Sequence, residues 1–261
     1  MDKQKIAEFF DKCAPWWDDD MIRNEDLITI ILDNCEIAPG KDVLDVACGT
    51  GVLFPDYLSR HVASVTGIDI SPEMSKIAAS KFPDVNVICG DVEETEFDKQ
   101  FDCIMVYNAF PHFPDPKKLI TRLSQLVKPG GRLSIAHGMS RAALTSHHSG
   151  RASDVSIDLL HEEELAAILA PWFDVDVIIS NDRMYQVCGV RRTEIAPEMA
   201  ELKALLKYMV SHNDSHSQEL AELADQMRQI GKTDVYTGIM DAVADFDVGN
   251  ARLSSVLDDL A

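Results

Sequence analysis

Two glycines follow a short apolar run in the segment VLDVACGTGVL, residues 43–53. The apolar residues predict a buried strand, and the residues after Gly51 predict the start of a helix. Gly49 and Gly51 let the backbone approach a ligand closely, and the first turn of a helix presents unpaired N–H groups. We therefore predict that this turn, with Asp45 on the strand before it, binds a polar ligand.

A carboxylate ends the next β-rich run. Asp69 lies in GIDIS, 18 residues beyond Gly51. A carboxylate at the end of a second strand can accept hydrogen bonds from both hydroxyls of a ribose. A dinucleotide-binding turn would read G-x-G-x-x-G, whereas this one reads D-x-A-C-G-T-G. The predicted ligand therefore contains a ribose but is not a dinucleotide.

The elements that must position these residues alternate along the chain. From Asp42 to Arg191, β-rich runs alternate with helical patterns, which is typical of a parallel sheet with helices on both faces. We predict helices over residues 52–60, 72–81, 115–127 and 161–170. We predict seven strands, the last two forming a hairpin at an antiparallel edge, over residues 42–46, 64–70, 85–89, 101–107, 131–137, 173–179 and 184–190.

Composition and charge limit the classes of protein that fit. The chain has 261 residues, 46% of them hydrophobic and 26% charged, which suits one α/β domain with a small appendage. Its formal charge of −20 repels phosphate backbones and anionic membranes, so we expect neither nucleic acid nor membrane partners. There is no run of about 18 apolar residues and no signal-peptide pattern, so we expect a cytoplasmic protein.

Four segments, in order and spacing, resemble the motifs of the class I S-adenosylmethionine-dependent methyltransferases. They are VLDVACGTGVL (43–53), GIDISPEM (67–74), GDVEETEF (90–97) and LVKPGGRL (126–133). The resemblance implies a Rossmann-like seven-stranded methyltransferase sheet with helices on both faces, in a domain over residues 1–192. It also implies S-adenosylmethionine as the cofactor.

The resemblance assigns cofactor-binding roles to residues of these motifs. Asp45, Gly49 and Gly51 would hold the aminocarboxypropyl end of S-adenosylmethionine. Asn108, after the fourth strand, would lie near the methyl group. Ala47 stands where the family usually has a glycine, and a methyl group is tolerable there if φ is negative. The full set is Trp17, Asp45, Ala47, Gly49, Gly51, Asp69 at the ribose, Ile70, Met74, Asp91 and Val92 at the adenine, and Asn108.

The loops after the fourth and fifth strands should form the substrate wall, because ligands bind at the carboxyl ends of strands in open α/β sheets. These loops, NAFPHFPD (108–115) and HGMSRAALTSHH (137–148), concentrate ionisable nitrogen groups. An imidazole there can act as a general base, although each side chain could instead pack or cap a helix. The chain lacks an NPPY motif, which favours a small-molecule methyl acceptor. We predict a pocket and catalytic set of His112, His137, Arg141 and His148.

Helical patterns lie on both sides of the predicted sheet. The N-terminal segment has Ile6, Phe9, Phe10 and Cys13 at helical spacing, followed by Trp16 and Trp17. This pattern predicts a cap over residues 1–35 that closes over the cofactor. Residues 198–261 carry apolar stripes at helical period and no plausible strand, which predicts a helical hairpin or a three-helix bundle. The alternatives for this tail are a lid, a metal site or a dimerisation element that forms a homodimer.

Three candidate metal ligands share one face of a predicted helix in this tail. His212, His216 and Glu219 lie at i, i+4 and i+7. Two imidazoles one turn apart can chelate a divalent transition metal, with the carboxylate as a third ligand. The tail has 12 acidic and 5 basic residues, so a cation is a more natural partner than an anion. The alternative is a pair of partly exposed histidines at the end of a helical bundle.

Together these patterns predict a methyltransferase that acts on a small molecule, with a helical accessory domain that could bind a metal ion. The main alternative is a non-catalytic binding or regulatory protein that responds to S-adenosylmethionine or to a metal. Turnover would distinguish the two. A protein methyltransferase is a third alternative.

Overall fold

The computed structural model describes residues 2–19, 23–148, 155–193 and 197–259. The chain divides into two compact units, residues 1–195 and 196–261. A sheet with flanking helices makes up the described part of the first unit, and two helices make up that of the second.

Seven strands form one sheet in the first unit. They are β1 (Asp42–Val46), β2 (Ser64–Asp69), β3 (Asn86–Cys89), β4 (Phe101–Tyr107), β5 (Val127–His137), β6 (Phe173–Ser180) and β7 (Tyr185–Arg191). Their order is β3-β2-β1-β4-β5-β7-β6. The first five run parallel, whereas β7 is antiparallel to both β5 and β6. The predicted fold class, with its hairpin at an antiparallel edge, is confirmed.

Helices cover both faces of this sheet. Those described are α1 (Lys3–Cys13), α2 (Glu25–Asn34), α3 (Phe54–Ser59), α4 (Pro72–Lys81), α5 (Pro116–Leu126), α6 (Arg141–His148) and α7 (Glu162–Leu169), with short 3-10 turns at Ala14–Trp16 and Phe110–His112. On one face α5 and α7 pack against the sheet, with Leu123 and Leu165 fully buried. On the other, α2 and α3 supply Ile31 and Phe54 to a second apolar layer. The central strands β1, β2 and β4 are therefore buried on both sides, which explains their apolar residues.

Side-chain caps fix where two of these helices begin. The Ser71 hydroxyl accepts a hydrogen bond from the Met74 N–H, and the Asp115 carboxylate accepts one from the Lys118 N–H. A proline follows each capping residue, at a position where a missing N–H costs nothing. The cap at Ser71 places the start of α4 three residues after Asp69, the last residue of β2, so the helix begins close to the edge of the sheet.

Two elements differ from the prediction. β5 begins at Val127 rather than at residue 131, because Val127 already pairs with Phe101 across an irregular register. The stretch after β5 was predicted as a loop, but Arg141–His148 form α6. The Ser140 hydroxyl accepts a hydrogen bond from the Ala143 N–H at the start of this helix, which is a capping signal in the sequence.

The second unit is a helical hairpin of α8 (Pro197–Gln229) and α9 (Thr233–Asp259). Gly231, at φ +80°, ends α8. Its N–H donates to the Arg228 carbonyl and the Lys232 N–H donates to the Met227 carbonyl, a glycine-terminated helix end. Among the residues that the structure describes in this unit, two helices and not three are present. No helix in the described ranges is long and apolar enough to span a bilayer.

Few side chains are buried in this hairpin. Those described as buried are Ala204, Ser217, Ala224, Val243 and Asn250. The Asn250 amide donates to the Val210 carbonyl and to the Asp214 carboxylate, so a polar contact joins the two helices. Large apolar side chains stay exposed on both helices and in the turn between them, namely Leu202, Leu205, Met209, Leu223, Ile230, Val235, Phe246, Val248 and Val256.

Candidate active site

A cleft opens at the carboxyl ends of β1, β2 and β4 and contains about 730 Å³ of empty space, part of it open to solvent. Residues from α1, from the turn after β1 and from the loops after β2, β3 and β4 line it. Of the eleven residues predicted to bind the cofactor, nine lie on its wall: Trp17, Ala47, Gly49, Asp69, Ile70, Met74, Asp91, Val92 and Asn108. Their role in binding stays a prediction, but the structure brings them together.

Asp69 links the first two loops of the cleft. Its Oδ2 accepts a hydrogen bond from the Gly49 N–H and its Oδ1 accepts one from the Ser71 N–H, both at 2.8 Å. Burial raises the pKa of this carboxyl, and the two backbone hydrogen bonds oppose the rise. The side chain is 8% exposed and lines the cleft, so a carboxylate in a fixed orientation meets any ligand there.

The negative φ that would let an alanine fit without strain at position 47 is not found. Ala47 has a φ of +54°, in the left-handed region, as has Gly49 at +55°. The turn imposes this conformation, because the Cys48 N–H donates to the Ile68 carbonyl and the Gly51 N–H donates to the Cys48 carbonyl. A left-handed alanine costs about 1–2 kcal/mol, so the turn is strained where it borders the cleft.

Gly51 contributes to the turn in another way. It does not line the cleft, and a Cβ atom at this position would lie 2.7 Å from Phe54 Cδ2 and 2.9 Å from Phe82 Cε2. Its φ is +84°. Gly51 therefore lets the turn pack tightly on α3, while a Cβ on Gly49 would lie 3.7 Å from Trp17 Nε1, in ordinary contact with it.

Asp45 lies in a second cavity, of about 530 Å³, which shares Trp17 and Asn108 with the first. Burial raises the pKa of Asp45 to about 8, and the charge of Asp69 adds to the rise. Arg23 lines the same cavity, although its guanidinium already binds Asp56 at 2.8 and 2.9 Å. A buried acid and a guanidinium on one wall are a donor and acceptor set that suits a zwitterionic amino acid group.

The N-terminal helix α1 and the turn after it cover the cleft. Lys3, Ile6, Phe10 and Trp17 line it from this side. Polar contacts fasten this segment, since Lys3 Nζ pairs with Asp91 and lies 2.8 Å from Glu93 Oε2, and Asp18 lies 2.7 Å from Lys81 Nζ. Sequence reasoning predicted the cap and Trp17 but missed Lys3, because its acidic partners are 88 and 90 residues away.

The structure describes the side chains of three of the four residues predicted for the substrate pocket, and these three do not line one cavity. His112 lines the cleft, with its ring against that of Phe10 at 4.8 Å between centroids. His137 is 0% exposed and its ring lies 6.1 Å from that of Tyr185, inside the core. Arg141 begins α6 and lines neither cavity. The side chain of His148 lies outside the part of the chain that the structure describes.

His137 belongs to the core for a simple reason. It is the last residue of β5, paired with Tyr185 of β7, so its side chain follows the alternation of the strand and not the direction of the loop. His112 instead follows β4 in a short turn, and the Asn108 Oδ1 accepts a hydrogen bond from the Gly138 N–H to join the two loops. Of the predicted pocket residues with described side chains, His112 alone contacts the cleft.

Two family models and two curated relatives match parts of this chain. Residues 44–135 match the family described as Methyltransferase domain, and residues 202–260 match one described as Domain of unknown function (DUF8180). A ubiquinone biosynthesis O-methyltransferase of Coxiella burnetii is 34% identical over 143 residues, 51% of this chain and 61% of that protein. A demethylmenaquinone methyltransferase of Renibacterium salmoninarum is 31% identical over 141 residues, 51% of this chain and 58% of that protein. The chain spans less than two thirds of these relatives.

Solved structures share the fold of the first unit. An N-methyltransferase of Bradyrhizobium japonicum, in complex with S-adenosyl-L-homocysteine, has a TM-score of 0.56 at 16% identity and covers 74% of this chain and 98% of its own. A SAM-dependent methyltransferase of Aquifex aeolicus has a TM-score of 0.54 at 19% identity, with coverages of 73% and 99%. These likenesses show that the first unit has the fold of these methyltransferases, and residues 44–135 match the Methyltransferase domain family.

Proposed function

We propose that this protein is an S-adenosylmethionine-dependent methyltransferase that acts on a small-molecule acceptor. The observation that carries the proposal is the fixed Asp69 carboxylate on the wall of the cleft, tied to the glycine turn through Gly49. A ribose needs two acceptors at such a position, and this carboxylate keeps lone pairs beyond those that its backbone partners use. The match to the Methyltransferase domain family over 44–135 supports the same conclusion.

The residues of the two cavities fit the parts of this cofactor. Asp69 would hold the ribose, and Val92 and Met74 offer apolar surface beside Asp91 for the adenine. Asp45 would meet the amino acid end, where a positive charge favours its carboxylate form over the neutral form that burial favours. When bound, S-adenosylmethionine supplies an electrophilic methyl group. Phe10 and Trp17 would exclude water from it, since both line the cleft from the cap.

His112 is the general base that we propose. Its Nδ1 lies 2.8 Å from the Val155 carbonyl oxygen, and a carbonyl can only accept, so Nδ1 carries the ring proton of the neutral imidazole. Nε2 then bears the lone pair. It can take the proton that an acceptor hydroxyl or amine loses during methyl transfer.

The acceptor that we propose is a small, partly apolar molecule. The cleft is lined largely by apolar side chains, and the net charge of −20 disfavours nucleic acid. One relative above is named for ubiquinone biosynthesis and the other for demethylmenaquinone, which supports a quinone-type or phenolic acceptor.

A turnover assay tests the proposed base. We expect the full-length protein to release S-adenosylhomocysteine with at least one member of a panel of phenols, quinols, amines and thiols. His112→Ala should lower kcat by about 10²–10⁴-fold, the usual contribution of general acid–base catalysis, with cofactor Kd nearly unchanged. His161→Ala is the matched control, because His161 precedes α7 and lines neither cavity.

Two outcomes would contradict parts of this proposal. Tight cofactor binding without turnover on small molecules or proteins would favour the binding or regulatory protein. Equal kcat values for His112→Ala and His161→Ala would show that His112 does not take the proton. The methyltransferase assignment would still stand.

Closure of the cap gives a separate prediction. If α1 must open for the cofactor to leave, amides of residues 4–13 should exchange more slowly with S-adenosylhomocysteine bound, by up to about 100-fold at a concentration 100 times Kd. Hydrogen exchange followed by mass spectrometry measures this, with α7 as the internal control. Identical exchange of α1 with and without ligand would show that the cap does not close over the site.

A further inference from the structure

Two imidazoles meet on the exposed face of α8. His212 and His216 are one helical turn apart, and their Nε2 atoms lie 3.1 Å from each other. The ring centroids are 4.3 Å apart, and both residues are exposed. The Nε2 atoms of the two rings therefore lie within hydrogen-bond distance of each other, close enough to share one cation.

Neighbouring side chains orient both rings. The Glu219 Oε2 lies 3.0 Å from His216 Nδ1, and the His212 ring stacks on Tyr208 at 5.3 Å between centroids with an interplanar angle of 17°. A carboxylate that accepts the Nδ1 proton of a histidine leaves the lone pair on Nε2 and raises its basicity. The sequence predicted Glu219 as a third metal ligand, but its carboxylate binds the nitrogen of His216 that faces away from His212.

Such a pair is suited to a shared cation. Two Nε2 lone pairs at 3.1 Å repel each other unless a proton or a metal ion lies between them. We propose that His212 and His216 chelate a divalent transition metal ion through their Nε2 atoms, with Glu219 as a positioning residue and water at the remaining coordination positions. Imidazole ligands favour Zn²⁺, Ni²⁺ and Cu²⁺ over Mg²⁺ or Ca²⁺, which prefer oxygen.

The proposal does not depend on methyltransferase activity. Its residues all lie on α8, in the unit that matches a domain family of unknown function, and that unit has more acidic than basic residues. Ligands at i and i+4 reach one ion only when the segment is helical, so binding also stabilises α8.

Calorimetric titration of the chelator-treated full-length protein with Zn²⁺ and Ni²⁺ tests the site. We expect one ion per chain, with Mg²⁺ not competing. His212→Ala and His216→Ala should each weaken binding at least about tenfold, and Glu219→Gln by about 10–100-fold, as for other residues that orient metal ligands. Circular dichroism of each variant shows whether α8 is retained.

His161→Ala is the matched control. Among the described residues, His161 forms with Glu162 and Glu163 a compact group whose side chains could also hold a metal. Zinc affinity should stay unchanged in this variant. The proposal is overturned if His161→Ala removes binding, if His212→Ala and His216→Ala bind zinc like the parent protein, or if the parent binds no zinc at millimolar concentration.

Discussion

Asp69→Ala should weaken S-adenosylmethionine binding by about 1.5–3 kcal/mol, which is roughly ten- to a hundredfold in Kd. Hydrogen bonds to a charged group account for this loss, because the carboxylate stands on the cleft wall in an orientation fixed by the Gly49 and Ser71 N–H groups. Isothermal titration calorimetry measures it directly. Asp69→Asn should lose less, since it keeps one acceptor oxygen.

An acid away from the site controls for net charge. Asp84 is exposed and lines neither cavity, so Asp84→Ala removes one negative charge without touching the cleft. Its Kd should equal that of the parent protein. A folded Asp69→Ala variant with unchanged affinity would remove Asp69 from the cofactor site and with it the main support for the proposed function.

Gly51→Ala should destabilise the first unit by about 2–5 kcal/mol. One part is the left-handed backbone, which costs an alanine about 1–2 kcal/mol. The other part is overpacking, because the new Cβ would lie within 3 Å of both Phe54 and Phe82, and such overlaps cost about 1–3 kcal/mol. Urea unfolding followed by tryptophan fluorescence measures the loss in this unit, since all three tryptophans lie in it.

Gly40 provides the control that separates the two parts. Its φ is +80°, close to that of Gly51, but a Cβ atom there would meet nothing within 4 Å. The free energy of unfolding of Gly40→Ala should therefore fall only by the cost of the left-handed backbone. Equal losses of unfolding free energy in the two variants would show that overlap with the two phenylalanines does not contribute to the destabilisation.

Sequence patterns predicted the fold more completely than the site. The boundaries of α4 follow from local signals, a capping serine before a proline, and β4 follows from a continuous apolar run. Which residues line the pocket depends on where their side chains point, and local sequence patterns do not determine that direction. His137 was assigned to the pocket because a loop begins there, but β5 extends through it and turns its side chain into the core.

Contacts between distant segments were also beyond the sequence patterns. Amphipathic spacing predicts that α1 covers an apolar surface, yet it does not predict that Lys3 pairs with Asp91, a residue of the predicted adenine site. The positive φ of Ala47 was missed for a related reason. Residue type favours a negative φ, whereas the hydrogen bonds of the folded turn override that preference.

The sparse interior of the α8–α9 hairpin has a consequence for how the whole chain loses its structure. Unfolding a segment with so few buried apolar groups changes the heat capacity little, and its local opening costs little free energy. Opening the sheet costs more free energy, because apolar side chains are buried against both of its faces. We therefore expect the chain to melt in at least two steps, so that a single melting temperature describes neither unit. Proteases at low concentration should reach the hairpin first and leave the sheet as the resistant core.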